Sequence, residues 1–278
     1  MAASDAPLFS SREDLEVVAK RLRRRIVTMI ARAGSGHPGG SLSAVEIVTA
    51  LYWKVLRHKP ADPLWPDRDR LILSKGHAAP LLYTALAECG YIPIEELDTL
   101  RRFGSRLQGH TDRTCVPGIE MSAGSLGQGL SFATGVAIAG KLDNKNYRVY
   151  ALLSDGENDE GQTWEAAMAA AHYKLDNLTV IVDNNGMQLS GCSNNIMTLE
   201  PLADKWAAFG WDIIEVNGHD VYKLLWAFEE AKKTKGMPAA IIAHTVKGKG
   251  VSFMENNVDF HGKAPTPQQL EIALKELA

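Results

Sequence analysis

Ser154-Asp155-Gly156-Glu157 and, further along, Asp183-Asn184-Asn185-Gly186-Met187 each close a short apolar run, Val149-Tyr150-Ala151-Leu152-Leu153 and Leu178-Thr179-Val180-Ile181-Val182. Apolar runs of this length, stopped by turn residues, read as buried parallel strands. The segment between them, Gly161 to Tyr173, is rich in Ala and has helical spacing. In such a βαβ unit both strands end at one edge of the sheet, where open α/β sheets take their ligands. That edge would carry a carboxylate, an amide oxygen and main-chain carbonyls. These are hard oxygen donors suited to Mg²⁺ or Ca²⁺, and Mg²⁺ completes its shell with phosphate oxygens and water. The unit therefore reads as a clamp for a metal-bound diphosphate. Asp-Gly and Asn-Gly are also ordinary turn dipeptides, so on this unit alone a plain pair of turns is the alternative.

Composition narrows the class. The chain has 278 residues, is 45% apolar and carries a net charge of −3, enough for a large core and without a basic field for nucleic acid. The one basic cluster, Lys20 to Arg25, lies in a stretch whose apolar positions Leu15, Val18, Leu22, Ile26, Met29 and Ile30 recur with helical period. It is expected to be a solvated or subunit-contacting helix face. Cys89, Cys115 and Cys192 have neither metal-ligand nor disulfide spacing, as in a reducing compartment. No signal peptide or membrane-spanning run is evident, so a cytoplasmic protein is expected.

Along the chain, helices are expected to about Ala33, from Ala44 to Leu56, from about Pro80 to Glu88, from Gly124 to about Lys141, from Pro201 to Phe209 and from Val221 to Lys232. Strands are expected at Arg70 to Leu73, Trp211 to Val216 and Ala239 to Ala243. Periodicity disappears between Phe103 and Gly124, and a segment of that length inside a domain is usually functional. The alternation predicts one α/β domain over 1–278: a doubly wound, mostly parallel sheet with helices on both faces. Glycine stands beside histidine in four loops: Gly36-His37, Gly76-His77, Gly109-His110 and His261-Gly262. Neutral imidazoles exchange protons near physiological pH and hydrogen-bond sugar hydroxyls.

These motifs together resemble the N-terminal part of transketolases, the thiamine diphosphate enzymes. The matching residues are Gly34-Ser35-Gly36-His37-Pro38, Leu73 to Pro80, Gly124-Ser125-Leu126-Gly127-Gln128-Gly129, Asp155-Gly156 with Glu160-Gly161, Trp164-Glu165-Ala166, Lys174 to Leu178, Asn185 and His261-Gly262. The resemblance implies that Asp155, Asn185 and the Met187 carbonyl hold Mg²⁺, with Ca²⁺ or Mn²⁺ as substitutes. It places Asp155, Gly156 and Glu157 at the diphosphate, with His77 and His261 beside it and Gly124, Ser125 and Leu126 along the cofactor. His37, His110 and His261 match substrate-facing, catalytic histidines. Glu160 and Glu165 match acidic residues near a subunit interface.

Three positions depart from the pattern: Ser154 replaces a glycine, His244 stands where some relatives carry a cofactor-contacting lysine, and Gly39-Gly40 replaces a position bearing a side chain. A complete transketolase is more than twice this length, so the resemblance implies the N-terminal subunit of a split enzyme. Its expected partner is a separate C-terminal subunit, in an α2β2 heterotetramer acting on sugar phosphates, with no nucleic acid or membrane involved. The alternatives are a subunit of a 1-deoxyxylulose-5-phosphate synthase-like or 2-oxoacid dehydrogenase-like enzyme, and a non-catalytic cofactor-binding subunit.

Overall fold

A computed structural model describes residues 14–278. Five parallel strands form one sheet in the order β1-β2-β3-β5-β4: β1 Arg70–Leu73, β2 Val149–Ser154, β3 Leu178–Asn184, β4 Asp212–Asn217 and β5 Ala239–His244. Strand side chains alternate between two apolar layers. Leu71, Leu73, Tyr150, Leu152, Ile181 and Ile241 join the core built with α1 (Leu15–Ala33), α3 (Val45–Ala50), α4 (Ala79–Glu88) and α9 (Val221–Lys233). Ile72, Val149, Ala151, Leu153, Val180 and Ile242 join the core built with α5 (Gln128–Leu142), α6 (Gly161–His172) and α8 (Leu202–Ala208), which follows the short α7 (Ser193–Ile196). The doubly wound arrangement is thus the expected one.

The apolar stripe of α1 is buried as its period requires, and the partly exposed basic run beside it is tied to the rest of the chain rather than left wholly to solvent. Arg23 is 7% exposed and pairs with Glu46, while Arg21 and Arg25 both reach Glu88. Arg24 donates to the Leu274 and Leu277 carbonyls at the end of α10 (Pro267–Glu276). Periodicity left α10 unassigned; its start is fixed by a reciprocal capping box between Thr266 and Gln269, with Pro267 in the first turn.

Two helix starts also differ from expectation. Between the helices expected to end at about Ala33 and to start at Ala44, the chain already turns helical at Pro38, giving α2 (Pro38–Ser43), and α3 runs on into a wider π-helical turn over Leu51–Val55. Helix α5 begins at Gln128 rather than at Gly124, because Gly127 takes a left-handed conformation (φ +82°). Residues 124–127 remain a turn at the sheet edge.

Glycine sets how closely α5 meets that edge. A Cβ on Gly129 would lie 2.1 Å from Ser74 Oγ and 2.7 Å from its Cα. Gly129→Ala is therefore expected to lower unfolding stability by about 2 kcal/mol or more through overpacking. Unchanged stability in denaturant titrations would contradict this contact.

Candidate functional site at the C-terminal edge of the sheet

Register brings the two diagnostic runs together. Ser154 of β2 lies opposite Asp183 of β3, so Asp155 and Asn185 leave the sheet side by side. Ser154 completes β2 as an ordinary extended residue, so the missing glycine costs the turn nothing. Asp155 is 1% exposed and accepts from the main-chain N–H groups of Gly156 (2.9 Å) and Met187 (3.1 Å) and from Ser193 Oγ (3.3 Å). Burial, reinforced by the nearby Asp183 carboxylate, pushes the Asp155 carboxyl up to about 6.

A buried carboxylate with too little positive charge around it suits a bound cation. Among the described residues no three His, Cys, Asp or Glu side chains gather in metal-binding geometry. The Asp155 carboxylate, with the amide oxygen of Asn185 and the main-chain carbonyl of Met187, would offer a hard-oxygen set with positions left for phosphate oxygens. The donor set therefore fits a Mg²⁺-diphosphate better than a bare ion.

Behind Asp155 sits a fully buried ion pair, Lys75–Asp183. Lys75 follows β1 and Asp183 belongs to β3. Asp183 also accepts from Ser43 Oγ of α2 (2.6 Å), from Thr245 Oγ1 after β5 and from Asn185 Nδ2 (3.3 Å). Burial alone would raise the Asp183 carboxyl, but the Lys75 ammonium and these donors outweigh it and hold it below the usual range. Sequence reading overlooked both residues as a pair, since nothing in the sequence marks their contact.

The four predicted histidines converge. The His37 ring centroid lies 5.7 Å from His77, 5.7 Å from His110 and 5.6 Å from His261, and His77 stacks on His261 at 5.3 Å. Desolvation, aided by neighbouring cations, lowers His37 and His261 to about 4 and holds His77 well below its ordinary value, so these rings are neutral at physiological pH. A Cβ on Gly40 would lie 2.8 Å from His77 Nε2, so the glycine departure makes room for this ring. Arg101 donates to His37 Nδ1 (3.3 Å), and Lys247 Nζ is 2.9 Å from His261 Nδ1.

Lys247 is a residue that sequence reading missed. It is 2% exposed, it also donates to the Gln188 carbonyl (3.2 Å), and desolvation lowers its ammonium to about 8. Lys247 lies three positions after His244, which itself turns outward to Glu215 (2.9 Å).

Glu157 lies at the diphosphate turn but points inward. It is fully buried, accepts from Ser74 Oγ and from the Gly127 N–H (2.8 Å), and so ties the Asp155 turn to residues 124–127. Burial keeps its carboxyl above the ordinary range. Gly124 lies against His110, its would-be Cβ 3.5 Å from the ring, and the backbone at Gly124 abuts Gly76. Ser125 is exposed and Leu126 half-buried beside it. Glu160 and Glu165 are exposed around the start of α6, with Met168 (53% exposed) on the same helix.

Two measurements test this geometry. Lys75→Met and Asp183→Asn should each cost about 3–5 kcal/mol, because either strands a buried charge, while the double variant should cost well below their sum; additive losses would contradict the pair. Stability of the ligand-free chain should fall as pH drops from about 6.5 towards about 4, where the unfolded histidines take up protons that the folded rings refuse. His261→Gln should make that slope shallower, and an unchanged slope would contradict a desolvated ring.

Comparison with known proteins places this architecture. Residues 15–277 match the family described as transketolase, thiamine diphosphate binding domain. The chain is 46% identical over 264 residues to the 6-deoxy-6-sulfo-D-fructose transketolase subunit SqwG of Clostridium sp. (strain MSTE9), covering 95% of this chain and 96% of that one. It is 44% identical over 266 residues to an apulose-4-phosphate transketolase subunit from Phocaeicola vulgatus, covering 96% and 94%. Among solved structures, transketolase from Leishmania mexicana superposes with a TM-score of 0.91 at 31% identity, over 96% of this chain and 42% of that one. Transketolase from Campylobacter jejuni gives 0.90 at 33%, over 95% and 42%. The chain thus spans less than half the length of these solved transketolases. With matching motifs, sheet and site edge, it belongs to the transketolase family, as a thiamine diphosphate-binding domain.

Proposed function

We propose that this chain is the N-terminal subunit of a split transketolase, transferring a two-carbon ketol unit from a ketose phosphate to an aldose phosphate; the expected single domain over 1–278 includes residues 1–13, which lie outside the described residues. The observation that carries this reading is the convergence of four imidazoles on the edge that holds Asp155 and Asn185. Thiamine diphosphate, when bound, would supply the nucleophilic carbon that ketol transfer needs. Asp155, Asn185 and the Met187 carbonyl would hold Mg²⁺, replaceable by Ca²⁺ or Mn²⁺. Gly156 lets main chain approach the diphosphate: a Cβ there would press on Gln188. Lys247 and His77 lie beside that group, and Gly124, Ser125 and Leu126 line the cofactor's path. Glu157 supports the pocket from within.

Hydrogen bonds set the protons of two rings. Arg101 donates to His37 Nδ1 and Lys247 to His261 Nδ1, so the proton of each neutral ring sits on Nε2. There the Nε2–H groups of His37 and His261 can donate hydrogen bonds to an oxyanion developing on the sugar, with His110 orienting the same substrate. The Arg101 guanidinium beside them favours a substrate with an anionic terminus, such as a sugar phosphate. The sulfonated and phosphorylated sugars in the names of the two relatives accord with that chemistry.

Both relatives are named as subunits, which supports a separate partner chain carrying the rest of the site. We place Glu160 and Glu165 near the interface of an α2β2 assembly. Transketolase names among the relatives favour ketol transfer over synthase-like, 2-oxoacid dehydrogenase-like and non-catalytic readings. Among the described residues no helix is long and apolar enough to cross a membrane, and all three cysteines are free. Action in the cytoplasm, without membrane or nucleic acid, belongs to the same proposal.

Isolation from native cells should recover a stoichiometric partner with a second thiamine-binding domain. Its absence, together with inactivity of the chain alone, would favour a binding-only subunit. Asp155→Ala should weaken Mg²⁺-dependent thiamine diphosphate binding by about 100-fold or more in calorimetry; retention of normal binding would rule out the clamp.

A further inference from the structure

Lys247 enters the site on the segment 245–250, and that segment is gripped from behind by side chains that stand outside the cleft. Arg23 of α1 pairs with Glu46 of α3 and donates through Nε to the Lys249 carbonyl (3.1 Å). Glu46 also meets His219 Nδ1 (3.0 Å), and His219 Nε2 accepts the main-chain N–H of Val246 (2.8 Å). Glu46 is 8% exposed; burial pushes its carboxyl up, but His219 and Arg23 outweigh this and hold it below the ordinary range.

Hydrogen-bond logic leaves one arrangement. A main-chain N–H only donates, so His219 Nε2 must carry a lone pair and Nδ1 the proton, which goes to Glu46. The ring is itself held where β4 meets α9: the His219 N–H donates to Asn217 Oδ1 (3.0 Å), and Asp220 caps α9. Val246 is the residue immediately before Lys247. Other main-chain ties of the segment include Thr245 N–H to the Asn184 carbonyl and Gly248 N–H to the Gly39 carbonyl, both 3.0 Å, and Asn256 N–H to the Lys247 carbonyl (2.9 Å). His219 supplies the grip on the amide immediately before Lys247.

We propose that His219 is a positioning residue for the cofactor site: by accepting the Val246 N–H it fixes the backbone from which Lys247 reaches His261 and the diphosphate. The proposal rests on the diphosphate reading of the pocket given above. A half-buried main-chain N–H deprived of its acceptor seeks another, and the segment that carries Lys247 shifts with it. A shift of a fraction of an ångström suffices to spoil a charge-assisted contact.

The test is a double-mutant cycle on the chain in complex with its partner subunit, reading thiamine diphosphate affinity with Mg²⁺ by calorimetry. His219→Leu fills the space without an acceptor and should weaken binding about tenfold. Lys247→Met should weaken it too, and the two together should do little more than either, because His219 acts through Lys247. His219→Gln, whose amide oxygen can accept the Val246 N–H, should bind within about threefold of the wild type.

Additive losses would assign His219 a general structural role and overturn the proposal, as would full affinity in His219→Leu while the wild type binds normally. A wild-type complex that binds no thiamine diphosphate would instead overturn the diphosphate reading, and the proposal with it. Should His219→Leu not fold, hydrogen exchange at the Val246 amide of the wild type decides. Slow exchange is expected, and exchange at the rate of an exposed amide would overturn the proposal.

Discussion

The buried Lys75–Asp183 pair is the constraint around which the site edge is arranged. Two full charges are withdrawn from water, which costs several kcal/mol per ion unless each is matched and its remaining valences are met. Asp183 meets them with Ser43, Thr245 and Asn185, so one carboxylate joins the chain after β1, α2, the end of β3 and the segment after β5. Those are the same four places that deliver His77, His37, Asn185 and Lys247. An apolar pair of similar volume could pack as well, but it could not orient an amide oxygen or a hydroxyl. The pair is best understood as setting direction rather than adding net stability.

A second buried acid does the same on the other side of β2. Glu157 draws in Ser74 and the Gly127 N–H, fastening the turn after β2 to the segment that precedes α5. Between these two anchors lies Asp155, desolvated and short of positive charge. The fold thus holds strain at one carboxylate and relieves it elsewhere with complete hydrogen bonding. Neutral histidines, kept so by desolvation and by Lys75, Lys247 and Arg101, complete a cleft that is cationic in its fixed charges and uncharged in its rings. That combination suits an anionic cofactor and proton exchange with a sugar.

Much of this was legible in the sequence because the sheet is parallel and buried. Val149 to Leu153 and Leu178 to Val182 could be little else, and their turn residues mark the edge where ligands sit. The stripe of α1 and the glycine–histidine loops were readable for the same reason, as periodic or punctuated local signals. Lys247 was not, because its role depends on reach across the cleft; three residues away, His244 occupies the strand end and faces solvent. The run Lys20 to Arg25 looked solvated because sequence shows its charge but not Glu46, Glu88 or the α10 carbonyls waiting for it. Glu157 adjoins Asp155 in sequence, yet the tight turn between them sends the two carboxylates in opposite directions. Helix α2 was hidden by glycines, and α10 was announced only by its capping residues Thr266 and Gln269.

The central claim is that Asp155, Asn185 and the Met187 carbonyl present a metal-bound diphosphate to the histidine cluster. The most direct test is anomalous diffraction from crystals of the chain with its partner, grown with thiamine diphosphate and Mn²⁺. The account predicts a single strong manganese peak within bonding distance of those three oxygens and of the diphosphate. A peak elsewhere, or a diphosphate seated away from Asp155 and Lys247, would contradict it.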